Sequence, residues 1–169
     1  LAFLKKTLST TPNTSANFGA KWKQRDLETE AKHNEFLQGV EFSDLKVFEL
    51  LLDVIPPNSH LHLANSTPVR YAQLFNALPD IKYFSNRGVS GSDGCTSTAG
   101  GSASASGVPT TLITGETAFL YDSNALWNAQ LPGNLRIVVV NNGGGGIFRF
   151  IPGPSDTRQL EKFFEAHHT

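Results

Sequence analysis

The stretch Leu135-Arg136-Ile137-Val138-Val139-Val140-Asn141-Asn142-Gly143-Gly144-Gly145-Gly146 decides the fold. Its first half is short, apolar and rich in β-branched residues, the pattern of a strand covered on both faces, as strands of parallel sheets are. Its second half is harder to explain as a simple turn. Four consecutive glycines lose much backbone entropy on folding, so the chain is expected to approach something closely there.

Working outward, the same alternation recurs. Residues 60–64, 81–84 and 110–114 read as further strands, and residues 45–55, 69–78, 96–106, 118–127 and 158–167 as helices. Ser43 and Asp44 suit a cap for the 45–55 helix, and Pro56-Pro57 ends it. Strands and helices joined by short connections argue for βαβ units. The expected class is therefore α/β, with a mostly parallel sheet and helices on both faces.

Residues 22–37 read as a polar leading helix, and the Ser/Thr/Asn-rich residues 1–20 suit an interdomain connection. The expected organisation is residues 1–42 as connection and leading helix, and residues 43–169 as the ligand-binding domain. The sequence has no Met and ends at His167-His168-Thr169 within a helical pattern. It is expected to be a fragment, truncated at the C-terminal end of that domain.

Composition limits the function classes. A chain of 169 residues with 39% hydrophobic residues has material for one real core. A net charge of −1, with no Lys/Arg run beyond a pair, gives nothing to draw nucleic acid or anionic lipid. No apolar run approaches the roughly 20 residues of a membrane span. The single cysteine, Cys95, excludes an internal disulfide framework and suits a reducing cytoplasm. Near a helix start its thiol could have a lowered pKa, but a small buried residue is the simpler reading. The terminal histidines read as solvated.

Parallel α/β sheets bind ligands outside the carboxyl ends of their strands. After the first strand, in Asn65-Ser66-Thr67-Pro68-Val69-Arg70, Ser66 or Thr67 can cap the next helix. Arg70 would stand near the crevice, as a surface residue or as a bidentate partner for a substrate carboxylate. The second strand runs into residues 85–94, with three glycines and Arg87, which suit either an anion cradle or a plain connection. The third strand ends in Thr114-Gly115-Glu116-Thr117 and the fourth in Asn141-Asn142. Taken singly, Glu116 suits a solvated charge and the asparagines a helix cap. Together they offer a carboxylate, an amide oxygen and a glycine carbonyl, three oxygens of the kind a hard cation bridging to phosphate requires.

Glu116 and Asn142 stand 26 positions apart. Gly-Glu-Thr at 115–117 followed by Asn-Asn at 141–142 is similar to the thiamine-diphosphate signature, Gly-Asp-Gly, a spacer, then Asn-Asn. Within that superfamily, NSTPVR (65–70), SNRGVSGSDG (85–94), LYDSNALW (120–127) and NLRIVVVNNGGGGIFRFIPGP (134–154) resemble the menaquinone-pathway family of 2-succinyl-5-enolpyruvyl-6-hydroxy-3-cyclohexene-1-carboxylate synthases. The resemblance covers residues 43–168 and implies the diphosphate-binding domain of the thiamine-diphosphate-binding fold.

What the resemblance implies is a ligation in which 2-oxoglutarate is decarboxylated and its succinyl unit is added to isochorismate. Thiamine diphosphate and Mg²⁺, or Mn²⁺ in its place, are the implied cofactors. Glu116, Asn142 and the Gly144 carbonyl take the family's metal positions. Gly115, Thr117, Asn141, Gly145, Ile147 and the loop Ser90, Gly91, Ser92, Asp93 surround the cofactor. Ser66, Arg70, Arg87 and Phe148 take substrate positions. The activating glutamate belongs to an N-terminal pyrimidine-binding domain, supplied by a neighbouring subunit of a homodimer or homotetramer, so no catalytic residue is expected within this chain.

Two positions depart from the family. Glu116 replaces an aspartate, lengthening the arm by about 1.5 Å, which predicts a weaker Mg²⁺ site. Ser92 replaces the large aliphatic residue that props the cofactor. These departures leave a non-catalytic relic of the fold as one alternative. Another thiamine-diphosphate enzyme, of the acetolactate or 2-oxo-acid decarboxylase type, is a second, against which Arg70 and Arg87 argue.

Overall fold

The computed structural model describes residues 17–165 and 167. The expected connection over residues 1–20 therefore lies, for residues 1–16, outside the described residues, as do His168 and Thr169. The chain forms two units, Leu1–Glu41 and Phe42–Thr169.

The described part of the first unit is one helix, α1 (Phe18–Gly39), which contains the polar helix expected over 22–37 and begins at Phe18, within the stretch expected to be a connection. It has no continuous apolar stripe. Local pairs support it instead, among them Gln24 Nε2 donating to Glu28 Oε1 over 3.0 Å and an edge-to-face contact of Phe18 with Trp22.

The second unit is built from α2 (Asp44–Asp53), β1 (His60–Leu63), α3 (Thr67–Ala72), β2 (Lys82–Phe84), α4 (Cys95–Ser106), β3 (Thr110–Gly115), α5 (Glu116–Tyr121) and β4 (Leu135–Val140). All four strands are parallel, in the order β2-β1-β3-β4. The expected α/β class is correct. The register pairs His60 with Thr110, Thr110 with Leu135 and Gly115 with Val140, so β3 and β4 end side by side.

Side-chain alternation along β1 explains the layers. Leu61 and Leu63 join Phe48, Leu52, Val69, Ala72 and Ile113 in the main core, formed with α2 and α3. His60 points the other way, its Nδ1 lying 3.5 Å from Ser102 Oγ on α4. Ala64, of the same parity, packs with Cys95 and Ala118. Helices thus cover both faces of the central strands, whereas β4, expected from its β-branched run to be covered on both faces, stands at the edge of the described sheet with its residues only half-buried or exposed.

Three expected helices are shorter or different. The helix expected over 69–78 ends at Ala72; Leu74 and Phe75 continue in tight turns, their N–H groups bonded to the Tyr71 and Ala72 carbonyls. Phe75 and Leu78 still pack on the core, so their spacing reflects burial without helix. The helix expected over 118–127 begins at Glu116, breaks after Tyr121 and resumes as a 3₁₀ turn, Ser123–Trp127. The break is at Asp122, whose buried carboxylate serves α4 instead. The helix expected over 158–167 is a single π-turn, Leu160–Phe164, after which Glu165 is extended. Ser43 and Ser66 occupy N-cap positions, yet neither side chain makes a capping hydrogen bond.

Candidate functional site

In the order β2-β1-β3-β4, connections leave β1 towards one edge of the sheet and β3 towards the other. The crevice between β1 and β3 is the topological switch point, where open α/β sheets bind ligands. A cavity of about 150 Å³ opens there. Its walls come from the ends of β1, β3 and β4 and from the loop preceding α4.

Of the residues singled out from sequence, Ser66, Ser92, Gly115, Glu116, Thr117, Asn142, Gly145, Ile147 and Phe148 line this cavity together. Glu116 opens α5 in its first turn and is buried, where a helix N-terminus favours negative charge. The backbone N–H of Asn142 donates to Glu116 Oε2 over 3.4 Å, and Thr117 Oγ1 lies 3.4 Å from Oε1. The Asn142 amide nitrogen donates to Asp44 Oδ2 over 2.8 Å, which fixes the orientation of that amide.

The glycine turn has a steric reason. Gly143, Gly144 and Gly145 have φ of +90°, +100° and +53°, a region that side chains disfavour. Asn141 stabilises the turn from its side chain, Oδ1 accepting from the Gly143 N–H over 3.1 Å. Ser66, at φ +73° and ψ −131°, holds a positive-φ conformation without glycine's freedom, and such strain collects at functional positions.

The remaining predicted residues stand around the cavity without lining it. Gly144 is buried within its turn. Arg70 Nη1 donates to the Ser66 carbonyl over 2.6 Å, and Arg87 Nη1 to Asn65 Oδ1 over 3.0 Å. Ser90, at φ +60°, donates to the Arg87 carbonyl over 3.3 Å, and Gly91 and Asp93 belong to the same exposed loop. Cys95 is buried, and burial pushes its thiol pKa up; it is a small buried residue, not an activated thiolate.

No family model matches the chain. Individual proteins do. Over 137 residues the chain is 50% identical to the 2-succinyl-5-enolpyruvyl-6-hydroxy-3-cyclohexene-1-carboxylate synthase of Flavobacterium johnsoniae, a match covering 81% of this chain and 25% of that protein. The synthase of the same name from Flavobacterium psychrophilum is 52% identical, with the same coverage. That of Cytophaga hutchinsonii is 41% identical over 169 residues, covering 99% of this chain and 30% of the relative. The chain is a homologue of these synthases. It spans about a quarter of the length of the two Flavobacterium proteins.

Three residues of this synthase homologue carry the site's architecture without having been singled out for it. Asn65, buried at the end of β1, donates through Nδ2 to the carbonyls of Asn86 and Gly91, each over 2.8 Å, and so ties the loop before α4 to the cavity. Asp122 accepts from the Ser97 N–H over 2.7 Å and from Ser97 Oγ, securing the first turn of α4. Asp44, expected only to cap α2, orients Asn142. The one available signal was a short polar side chain beside a strand end or helix boundary. Among the described residues no helix is long and apolar enough to cross a membrane.

Proposed function

We propose that the complete protein is a thiamine-diphosphate- and Mg²⁺-dependent transferase of menaquinone biosynthesis. It adds the succinyl unit of 2-oxoglutarate to isochorismate with loss of carbon dioxide. The observation that carries this reading is the pairing of Glu116 with Asn142 across the ends of β3 and β4, at the switch point of the sheet.

The residues present fit a cation. Glu116 is buried, both of its hydrogen bonds are 3.4 Å long, and among the described residues no Lys, Arg or His forms an ion pair with it. A buried carboxylate compensated only by long hydrogen bonds and the first turn of a six-residue helix favours a positive partner. Glu116, the Asn142 amide oxygen and the Gly144 carbonyl would hold Mg²⁺, or Mn²⁺, as oxygen ligands. The cavity's 150 Å³ is half or less of the roughly 300–1,000 Å³ of a complete small-molecule site. That suits the diphosphate end of a larger ligand, with the remainder held by the pyrimidine-binding domain of a neighbouring subunit in a homo-oligomer.

When bound, the cofactor would supply the electron sink for decarboxylation. This chain's residues bind and orient. Gly115, Thr117, Asn141, Gly145, Ile147 and the loop Ser90, Gly91, Ser92, Asp93 would surround the cofactor. Ser66 and Phe148 would border the substrates, and Arg70 and Arg87, one residue away from the cavity wall, carry the guanidiniums that dianionic acids call for. The activating glutamate would come from the other domain, and the cytoplasm would be the compartment.

The test is calorimetric titration of the complete protein with thiamine diphosphate and Mg²⁺, followed by assay for product from 2-oxoglutarate and isochorismate. Saturable heat and product formation are expected, with no turnover by the 169-residue chain alone. Absence of heat would make the protein a relic of the fold, and turnover with a different 2-oxo acid or acceptor would make it another member of the superfamily.

A further inference from the structure

Residues 164 and 165 pack against the glycine turn. A Cβ on Gly145 would run into the Phe164 carbonyl oxygen and come within 3.0 Å of Glu165 Cα. On the same side, the Phe164 ring lies 5.2 Å from that of Phe148, which lines the cavity. Residues 164–165 are thus a direct support of the turn.

Charge holds that support in place. The Glu165 side chain is only 1% exposed. Arg149 Nε donates to its Oε1, and His167 Nε2 lies 3.2 Å from its Oε2. Arg149's hydrogen bond holds the Glu165 carboxyl below the usual carboxylate range. Arg149 itself closes the 3₁₀ turn Gly146–Arg149, which begins at the last of the four glycines. An exposed ion pair contributes little, whereas removing one partner of a buried carboxylate leaves an uncompensated charge that drives the segment away from its seat.

We propose that Glu165, acting through Arg149, is a positioning residue for the glycine turn. The pair clamps residues 160–165 against the turn and holds Gly145, Gly146, Ile147 and Phe148 at the cavity wall. The consequence for cofactor affinity rests on the function proposed above; the clamp itself does not.

The experiment compares Glu165→Gln, Arg149→Gln and the double variant in the complete protein. Hydrogen exchange of amides 143–148 is read without ligand, and the affinity for thiamine diphosphate with Mg²⁺ is read by calorimetry. Each single variant is expected to speed exchange at 143–148 by about tenfold while β3 amides keep their protection, and to weaken cofactor binding by about tenfold. The double variant is expected to be no worse than the poorer single one, because the two residues act as a unit. Exchange within about twofold of wild type, equal loss of protection in β3, or additive effects of the two substitutions would each overturn the clamp. If the wild-type protein binds no cofactor, the proposed function fails, and the exchange comparison still decides the clamp.

Discussion

Glu116 and Asn142 meet across the ends of neighbouring parallel strands, the Asn142 N–H donating to the Glu116 carboxylate over 3.4 Å. The register that pairs Gly115 with Val140 brings the two strand ends side by side, within reach of this contact. It leaves a buried negative charge with long hydrogen bonds, an arrangement that is costly without a cation.

Glu116→Gln separates the cost from the use. Removing the buried charge is expected to stabilise the metal-free protein by about 1 kcal/mol and to weaken Mg²⁺-dependent cofactor binding by at least about tenfold. Thermal melts with and without Mg²⁺ and cofactor check both directions. A metal-free protein made less stable by this substitution would mean that Glu116 is already satisfied.

Ser92 lines the cavity from the exposed loop before α4. Under the proposed function, Ser92→Leu restores apolar bulk against the cofactor. Faster turnover is expected, with stability changed by less than about 0.5 kcal/mol, since the site is on the surface. Steady-state kinetics of the complete protein are the measurement; unchanged or slower turnover would show that Ser92 is not a missing prop.

Much of this was legible in the sequence because strands and their ends have local signatures. The β-branched run 137–140 and the glycines after it were found from pattern alone, and nine expected site residues line one cavity. Helix lengths were less legible. Asp122 looks like an ordinary helical position until α4 is seen to need its carboxylate, and Glu165 reads as one turn of a helix until Arg149 is seen beside it. Both depend on partners 16 or 25 residues away, which periodicity cannot register. The supporting roles of Asn65 and Asp44 were hidden for the same reason.

Asp122→Asn tests that long-range support. The carboxylate accepts from the Ser97 N–H and hydroxyl at the start of α4, where a negative charge also meets the helix dipole favourably. A loss of about 1–2 kcal/mol is expected, with exchange rising first in the opening turn of α4. Denaturant melts and amide exchange are the readouts; an unchanged first turn would assign the stability elsewhere.

His62 gives the fold a pH dependence that does not involve the site. Its ring stacks on Phe84 with centroids 4.8 Å apart and is buried in the face of the sheet that meets α4. Burial, aided by neighbouring His60, lowers its pKa from 6.5 to about 4. The sign follows from which state takes up the proton. Below pH 6.5 the unfolded chain protonates His62 while the folded one does not, so stability falls as pH drops towards 4 and levels off below it. The full effect is at most about 3 kcal/mol. His62→Leu keeps the volume apolar and removes the proton site, so its stability should fall less than wild type's between pH 7.5 and 4.5, by about 2 kcal/mol. Comparing the two proteins cancels the carboxylates that titrate in the same range. Parallel pH profiles for wild type and variant would show that His62 is free to protonate in the folded state.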